Sequence, residues 1–195
     1  MNEKVEFLNA FLKNPLSVGA VAPSGPELSR KMVDGLEPSK DSIILELGVG
    51  TGAVTKAISG ILPDDESYLG IELNDRFIDG LRNDFPALKF MQGDAGDASA
   101  LHKESGLGKV GYVISSLPFV SLPGDVTERI LGEIEKFMEQ GCIFRTFQYA
   151  HGYYLPAALK LREFMRDRYG VSERSPIVMR NVPPAYTLTW RGPAS

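Results

Sequence analysis

The run Ile43-Ile44-Leu45-Glu46-Leu47 is apolar and strand-like, and it passes directly into Gly48-Val49-Gly50-Thr51-Gly52 and then into a helical pattern. Glycine at every second position permits positive φ and removes the Cβ atoms that hold other groups at a distance, so something must approach the backbone closely at this strand end. Downstream, short β-like runs alternate with amphipathic helical stretches. The expected strands are Ser42–Leu47, Tyr68–Glu72, Leu88–Met91, Val110–Ser115, Cys142–Tyr149, Val171–Val178 and Ala185–Arg191. Helices are expected near Ala53–Ser59, Asp75–Asp84, Ala98–Glu104, Val126–Met138 and Pro156–Tyr169. Strand-helix alternation predicts an α/β fold, a mostly parallel sheet covered by helices on both faces. Only Met179–Pro184 joins the last two strands, so they are expected to pair as an antiparallel hairpin near an edge.

With 195 residues and 43% hydrophobic content, the chain suffices for one well-buried core and is short for two domains. A single domain is expected over 1–195, with a helical N-terminal extension in 1–40 and a catalytic core in 41–195. In the extension, Phe7, Leu8, Phe11 and Leu12 recur at helical spacing, and Ser24 with Glu27 has the form of a capping box. The net charge of -4 does not supply the positive field that nucleic acid requires, and nucleic acid is a disfavoured partner. The lone Cys142 cannot form an internal disulfide, and no Cys or His spacing suggests a metal site. No apolar run approaches the length of a membrane span, and acids stand where a secretory leader has a basic stretch, so a cytoplasmic location is expected.

Three acids follow in order: Glu46 at the end of the first strand, Glu72 at the end of the second, and Asp94 in Gln92-Gly93-Asp94-Ala95 after the third. The glycine turn taken with Ala53 also fits the loose dinucleotide pattern. Glu46 discriminates. A carboxylate there would oppose a pyrophosphate but suits a cofactor carrying a sulfonium and an ammonium group, which is S-adenosylmethionine. Glu72 would accept from ribose hydroxyls under either reading, and Asp94 from the adenine amine. The candidate cofactor contacts are therefore Glu46, Gly48, Gly50, Thr51, Gly52, Glu72, Leu73, Gly93, Asp94, Ala95 and Ser115.

In that order and spacing, the glycine turn, Glu72 and Asp94 resemble the successive motifs of class I S-adenosylmethionine-dependent methyltransferases, over roughly residues 40–191. The resemblance implies a Rossmann-like seven-stranded sheet with an antiparallel C-terminal strand, and S-adenosylhomocysteine as product. After the fourth strand, Ser115-Ser116-Leu117-Pro118-Phe119 resembles the Asn-Leu-Pro-Tyr type of loop found in enzymes that methylate amino nitrogens. Proline stiffens such a turn, and its aromatic residue can stack on the acceptor. Ser116 stands where Asn or Asp is usual, a poorer match to a base amino group, which counts against an adenine acceptor.

Together with Phe11-Leu12-Lys13-Asn14-Pro15, Gly19-Ala20-Val21-Ala22-Pro23-Ser24 and the aromatic segment Phe147–Tyr154, this loop is similar to the bacterial phospholipid N-methyltransferase family. That resemblance implies methylation of phosphatidylethanolamine, with the N-terminal helix touching the inner face of the membrane. Within the aromatic segment, Tyr149 and His151 are candidates to hold the acceptor or take its proton, although tyrosines and a lone histidine there could equally be structural. The catalytic candidates are thus Ser116, Pro118, Phe119, Tyr149 and His151. An rRNA adenine N6-methyltransferase-like enzyme and a small-molecule amine N-methyltransferase are the alternatives; the oligomeric state stays open.

Overall fold

A computed structural model describes residues 24–194. The expected helix around Phe7–Leu12 and the motifs at 11–15 and 19–23 lie outside those residues. The first described helix is α1 (Pro26–Val33). Strands and helices then alternate as β1 (Ile43–Leu47), α2 (Ala53–Ser59), β2 (Tyr68–Glu72), α3 (Asp75–Asp84), β3 (Lys89–Gln92), α4 (Ala98–Ser105), β4 (Val110–Ser115), α5 (Gly124–Met138), β5 (Ile143–Tyr149) and α6 (Pro156–Tyr169). The edge strand β6 (Glu173–Arg174) and the long β7 (Ala185–Arg191) complete a seven-stranded sheet in the order β3-β2-β1-β4-β5-β7-β6. β1 to β5 pair in parallel, and β7 runs antiparallel between β5 and β6.

Every residue of β1 and of β2 is buried, as strands must be when both sheet faces are covered. Successive side chains divide between the faces. Leu45, Leu47, Leu69 and Ile71 join Ala98, Ile130, Ile134 and Leu161 in the core beneath α4, α5 and α6. Ile44, Tyr68 and Ile114 instead meet Leu28 and Met32 of α1, Val54 and Ile58 of α2, and Ile78 and Leu81 of α3. A cationic side chain crosses into this packing. The buried Arg145 donates from Nε to Thr189 Oγ1 (2.8 Å) and from Nη1 to the carbonyls of Met32 (3.3 Å) and Asp34 (2.7 Å). A cation at the C-terminal end of α1 satisfies carbonyls the helix leaves open, and it fixes α1 to the sheet.

Two local expectations change. The N-cap of α1 is Gly25, not Ser24, and it has no side-chain cap; its amide donates to Asn181 Oδ1 at 2.8 Å, while Pro26 occupies the first helical turn. A capping box therefore cannot form, and Ser24 is free to face elsewhere. The sixth strand is shorter than 171–178 because Pro176 has no N–H for the ladder. Ser175 bridges the gap: its amide donates to Thr187 O (3.0 Å) and its Oγ accepts from Thr187 N (3.0 Å), before a single bridge between Val178 and Ala185.

Candidate active site

The chain runs outward from β1 to β2 and β3, then returns to β4 on the other side of β1, so the strand order reverses between β1 and β4. Loops leaving adjacent strand ends diverge at such a switch point and open a crevice. There the protein has a cavity of about 200 Å³, walled by the turns after β1, β2, β3 and β4. Gly48 and Gly50 lie on its wall with φ of +74° and +58°. A Cβ on Gly48 would stand 2.5 Å from Leu117 Cδ2, which explains its absence where the β4 loop crosses the turn. A Cβ on Gly50 would meet nothing within 4 Å, so that position opens onto space for a ligand.

Glu72 holds the turn in place. Its Oε2 accepts from Gly50 N at 2.8 Å and its Oε1 from Asn74 N at 2.9 Å, which ties the end of β2 to the β1 turn. Burial raises the Glu72 pKa against the lowering effect of these amides. Asp94 lies next along the wall; its Oδ1 caps the following turn through Gly96 N (2.8 Å), and its Oδ2 is ion-paired with Arg129 of α5. On the β4 side, Ser116 and Pro118 reach the wall together with Phe147 of β5. The Ser116 hydroxyl is buried and has no hydrogen-bond partner. Desolvating a hydroxyl without a partner is costly, and such atoms at a cleft wall mark where a ligand group completes the bonding.

The cleft thus brings together Gly48, Gly50, Thr51, Glu72, Leu73, Gly93, Asp94, Ala95, Ser116 and Pro118. Six other expected residues stand apart from its wall. Glu46 is wholly buried behind the turn, where its Oε2 accepts from Tyr68 Oη (2.6 Å) and Thr55 Oγ1 (2.8 Å) while its Oε1 has no partner. Burial pushes its pKa up to about 7 despite those hydroxyls. Its position follows from strand alternation, which sends it to the α2 side with Ile44. Gly52 is the N-cap of α2 at φ +79°, closed off by Leu81 and Phe85. Ser115 is buried in β4, its Oγ accepting from Leu117 N (3.3 Å) and its carbonyl from Thr146 Oγ1 (3.0 Å).

Phe119 belongs to the core beneath α5 and not to the cleft. Tyr149 packs on the α1 side of the sheet with its hydroxyl unpartnered, and its ring stacks on the exposed His151 at 5.7 Å. His151 sits in the short turn Ala150–Gly152, beyond the wall. Conversely, Phe77, Leu122, Ile130 and Ser24 line the cleft and were not foreseen. Three of these are apolar residues whose spacing is the same whether a helix or loop faces a core or a ligand. Ser24 reaches the wall only through the distant bond between Gly25 and Asn181.

No known family profile matches the chain. Among curated proteins, it is 27% identical over 135 residues to an ornithine lipid N-methyltransferase of Singulisphaera acidiphila, covering 68% of this chain and 70% of that protein. It is 30% identical over 119 residues to ribosomal RNA small subunit methyltransferase A of Chlorobium phaeobacteroides, covering 58% of this chain but only 43% of that protein. A TehB-like SAM-dependent methyltransferase from Corynebacterium glutamicum superposes with a TM-score of 0.56 at 18% identity, over 97% of this chain and 98% of that one. A SAM-dependent methyltransferase from Anabaena variabilis does so with a TM-score of 0.65 at 12% identity, over 99% and 96%. The superpositions establish the fold, and the two curated relatives alike in sequence are both methyltransferases, which supports S-adenosylmethionine as the cofactor.

Proposed function

We propose that the chain is a class I S-adenosylmethionine-dependent methyltransferase that acts on the amine nitrogen of a membrane lipid headgroup, of the phosphatidylethanolamine or ornithine-lipid kind, from the inner face of the membrane. The observation that carries the reading is the Ser116-Leu117-Pro118 turn, which lines the cleft beside Phe147 and carries a buried hydroxyl without a hydrogen-bond partner. The curated relative that acts on ornithine lipid supports a lipid amine. Among the described residues no helix is long and apolar enough to cross a membrane, so the lipid would be met at its surface.

The wall residues fit the cofactor. Gly50 leaves the space a Cβ would fill, and Glu72 and Asp94 supply acceptors where a ribose and an adenine present hydroxyls and an amine. S-adenosylmethionine supplies a methyl group made electrophilic by its sulfonium. What the chain's own residues do is orient and exclude. Pro118 stiffens the acceptor turn, Ser116 Oγ offers the incoming N–H an acceptor and so aims the nitrogen lone pair inward, and Phe147 presents an aromatic face to the methylated ammonium. Among the described residues, the cleft wall carries Glu72 and Asp94 but no histidine, tyrosine or lysine. Glu72 is committed to amides and Asp94 to Arg129, so the amine is taken to arrive already deprotonated through solvent.

The test offers methyl-labelled cofactor together with mixed micelles of phosphatidylethanolamine, ornithine lipid, ribosomal RNA or small amines. Label in lipid supports the reading. Label confined to RNA, the acceptor in the name of the second curated relative, would replace it, as would label confined to a soluble amine.

A further inference from the structure

Two segments next to the cleft wall leave the same corner of the sheet. Residues 150–159 follow β5 into α6, and residues 176–184 lead into β7, whose first residue pairs with the last of β5. Both are anchored to the cleft. Val120 of the acceptor loop and Leu155 close over Gly152 from either side, at 3.9 and 3.6 Å from where its Cβ would be. Asn181 holds Gly25 beside the wall residue Ser24. This corner gathers the apolar surface: of the seven exposed large hydrophobics among the described residues, six (Tyr154, Leu155, Leu159, Ile177, Met179 and Val182) lie in these two segments. Tyr154 and Val182 are each 78% exposed and Met179 65%. Scattered exposed hydrophobics are ordinary, but a set gathered beside a cleft marks an interaction surface.

Charge selects the partner. The chain carries a net -4, yet no Asp or Glu occurs from Gln140 to Arg162 or from Arg174 to Ala194. Those stretches carry the exposed Lys160 and Arg180; the Arg180 side chain is 88% exposed and makes a loose ion pair with Glu27 at 4.0 Å. Arg174 and Arg162 lie over the Tyr153 ring at 5.4 and 3.8 Å, stiffening the base of the β5 loop. Apolar side chains interspersed with cations, on two segments that themselves carry no acid, complement the headgroup and acyl boundary of an anionic bilayer.

We propose that these two loops form a docking surface for an anionic membrane, which seats the cleft mouth on the bilayer so that a headgroup enters without its lipid leaving. The surface rests on the lipid reading above for its purpose, but its test does not involve methyl transfer. The intact chain would be sedimented with vesicles of phosphatidylcholine alone or with about 30% phosphatidylglycerol, at low and high salt. Binding should require the anionic lipid and weaken with salt. Paired substitution of Met179→Ser with Val182→Ser, or of Tyr154→Ser with Leu155→Ser, should lower partitioning at least tenfold. Arg180→Glu should lower it roughly fivefold or more. Unchanged S-adenosylhomocysteine affinity and melting temperature would show that these variants fold.

The surface is overturned if the wild type ignores anionic vesicles, if the variants bind as the wild type does, or if the substitutions instead dissolve a dimer or abolish RNA binding. A chain that binds vesicles through these loops and labels no lipid leaves the surface standing and removes the acceptor. One that labels dispersed lipid and ignores vesicles does the reverse.

Discussion

At the residue scale, the site separates side chains that hold the turn from those that face the ligand. Glu72 does both, so Glu72→Gln replaces an acceptor of two backbone amides by a group with one acceptor and one donor. One amide then loses its partner at a cost of about 1–3 kcal/mol. Isothermal titration should show S-adenosylhomocysteine affinity reduced at least tenfold, with an accompanying loss of stability. Ser116→Ala should separate the two quantities, because its hydroxyl has no partner to lose: denaturant midpoints should stay level or rise slightly while kcat falls about tenfold or more. His151→Ala, beyond the wall, should leave kcat within about twofold.

Glu46 makes a pH prediction. Its folded-state pKa of about 7 lies above its ordinary value of 4.5, so the folded protein holds that proton while the unfolded chain has released it. Stability therefore falls as pH rises from about 4.5 through 7, by on the order of 3 kcal/mol, and Glu72 adds a contribution of the same sign. Glu46→Gln, which keeps an acceptor for Tyr68 and Thr55, should flatten urea midpoints across that window. A wild-type profile already flat there would contradict the burial argument. The sequence made Glu46 conspicuous for its place before the glycines, but not the parity that turns it under α2. That parity depends on which sheet face the helix after the turn covers.

At the element scale, the sequence was most legible where hydrophobic runs were long and bounded by breakers. β2 and β7 begin and end where their apolar patterns do, and the antiparallel insertion of β7 follows from the short connector before it. The sixth strand is shorter than expected because the middle of 171–178 is polar (Ser172 to Ser175) and Pro176 has no N–H for the ladder. The start of α1 was misjudged because its cap partner, Asn181, is 156 residues away in sequence. Long-range bonds of that kind leave no local pattern. Arg145 is another: a buried cation whose partners are the carbonyls closing α1. Arg145→Met should strand those carbonyls and unseat α1 at a cost of about 2–4 kcal/mol, read as a lower urea midpoint. Since α1 leads back to Ser24 on the cleft wall, S-adenosylhomocysteine affinity should fall with it, more than in a surface variant of equal stability.

For the whole molecule, the decisive fact is that the cleft is built from both halves of the sheet. The β1–β3 half contributes the glycine turn, Glu72 and Asp94, whereas the β4–β5 half contributes Ser116, Pro118 and Phe147. Order along the chain revealed the first half, because each contact follows directly on a strand end. The second half was only partly legible, since residues after β4 and β5 divide between cleft, core and surface according to strand twist and loop path. Phe147 lines the cleft while Phe119 and Tyr149 do not. A ligand that spans both halves must stabilise the fold as one unit. At a concentration of about 100 times its dissociation constant, S-adenosylhomocysteine should add about 2.7 kcal/mol. For a chain of this size that is a rise of roughly 5–10 °C in melting temperature. NAD should produce no such shift, because both curated relatives alike in sequence are methyltransferases. If the ligand tied down only the β1–β3 half, hydrogen exchange would slow there and leave β4 and β5 unchanged. Slowing in both halves is the result expected of a cleft that closes across the switch point.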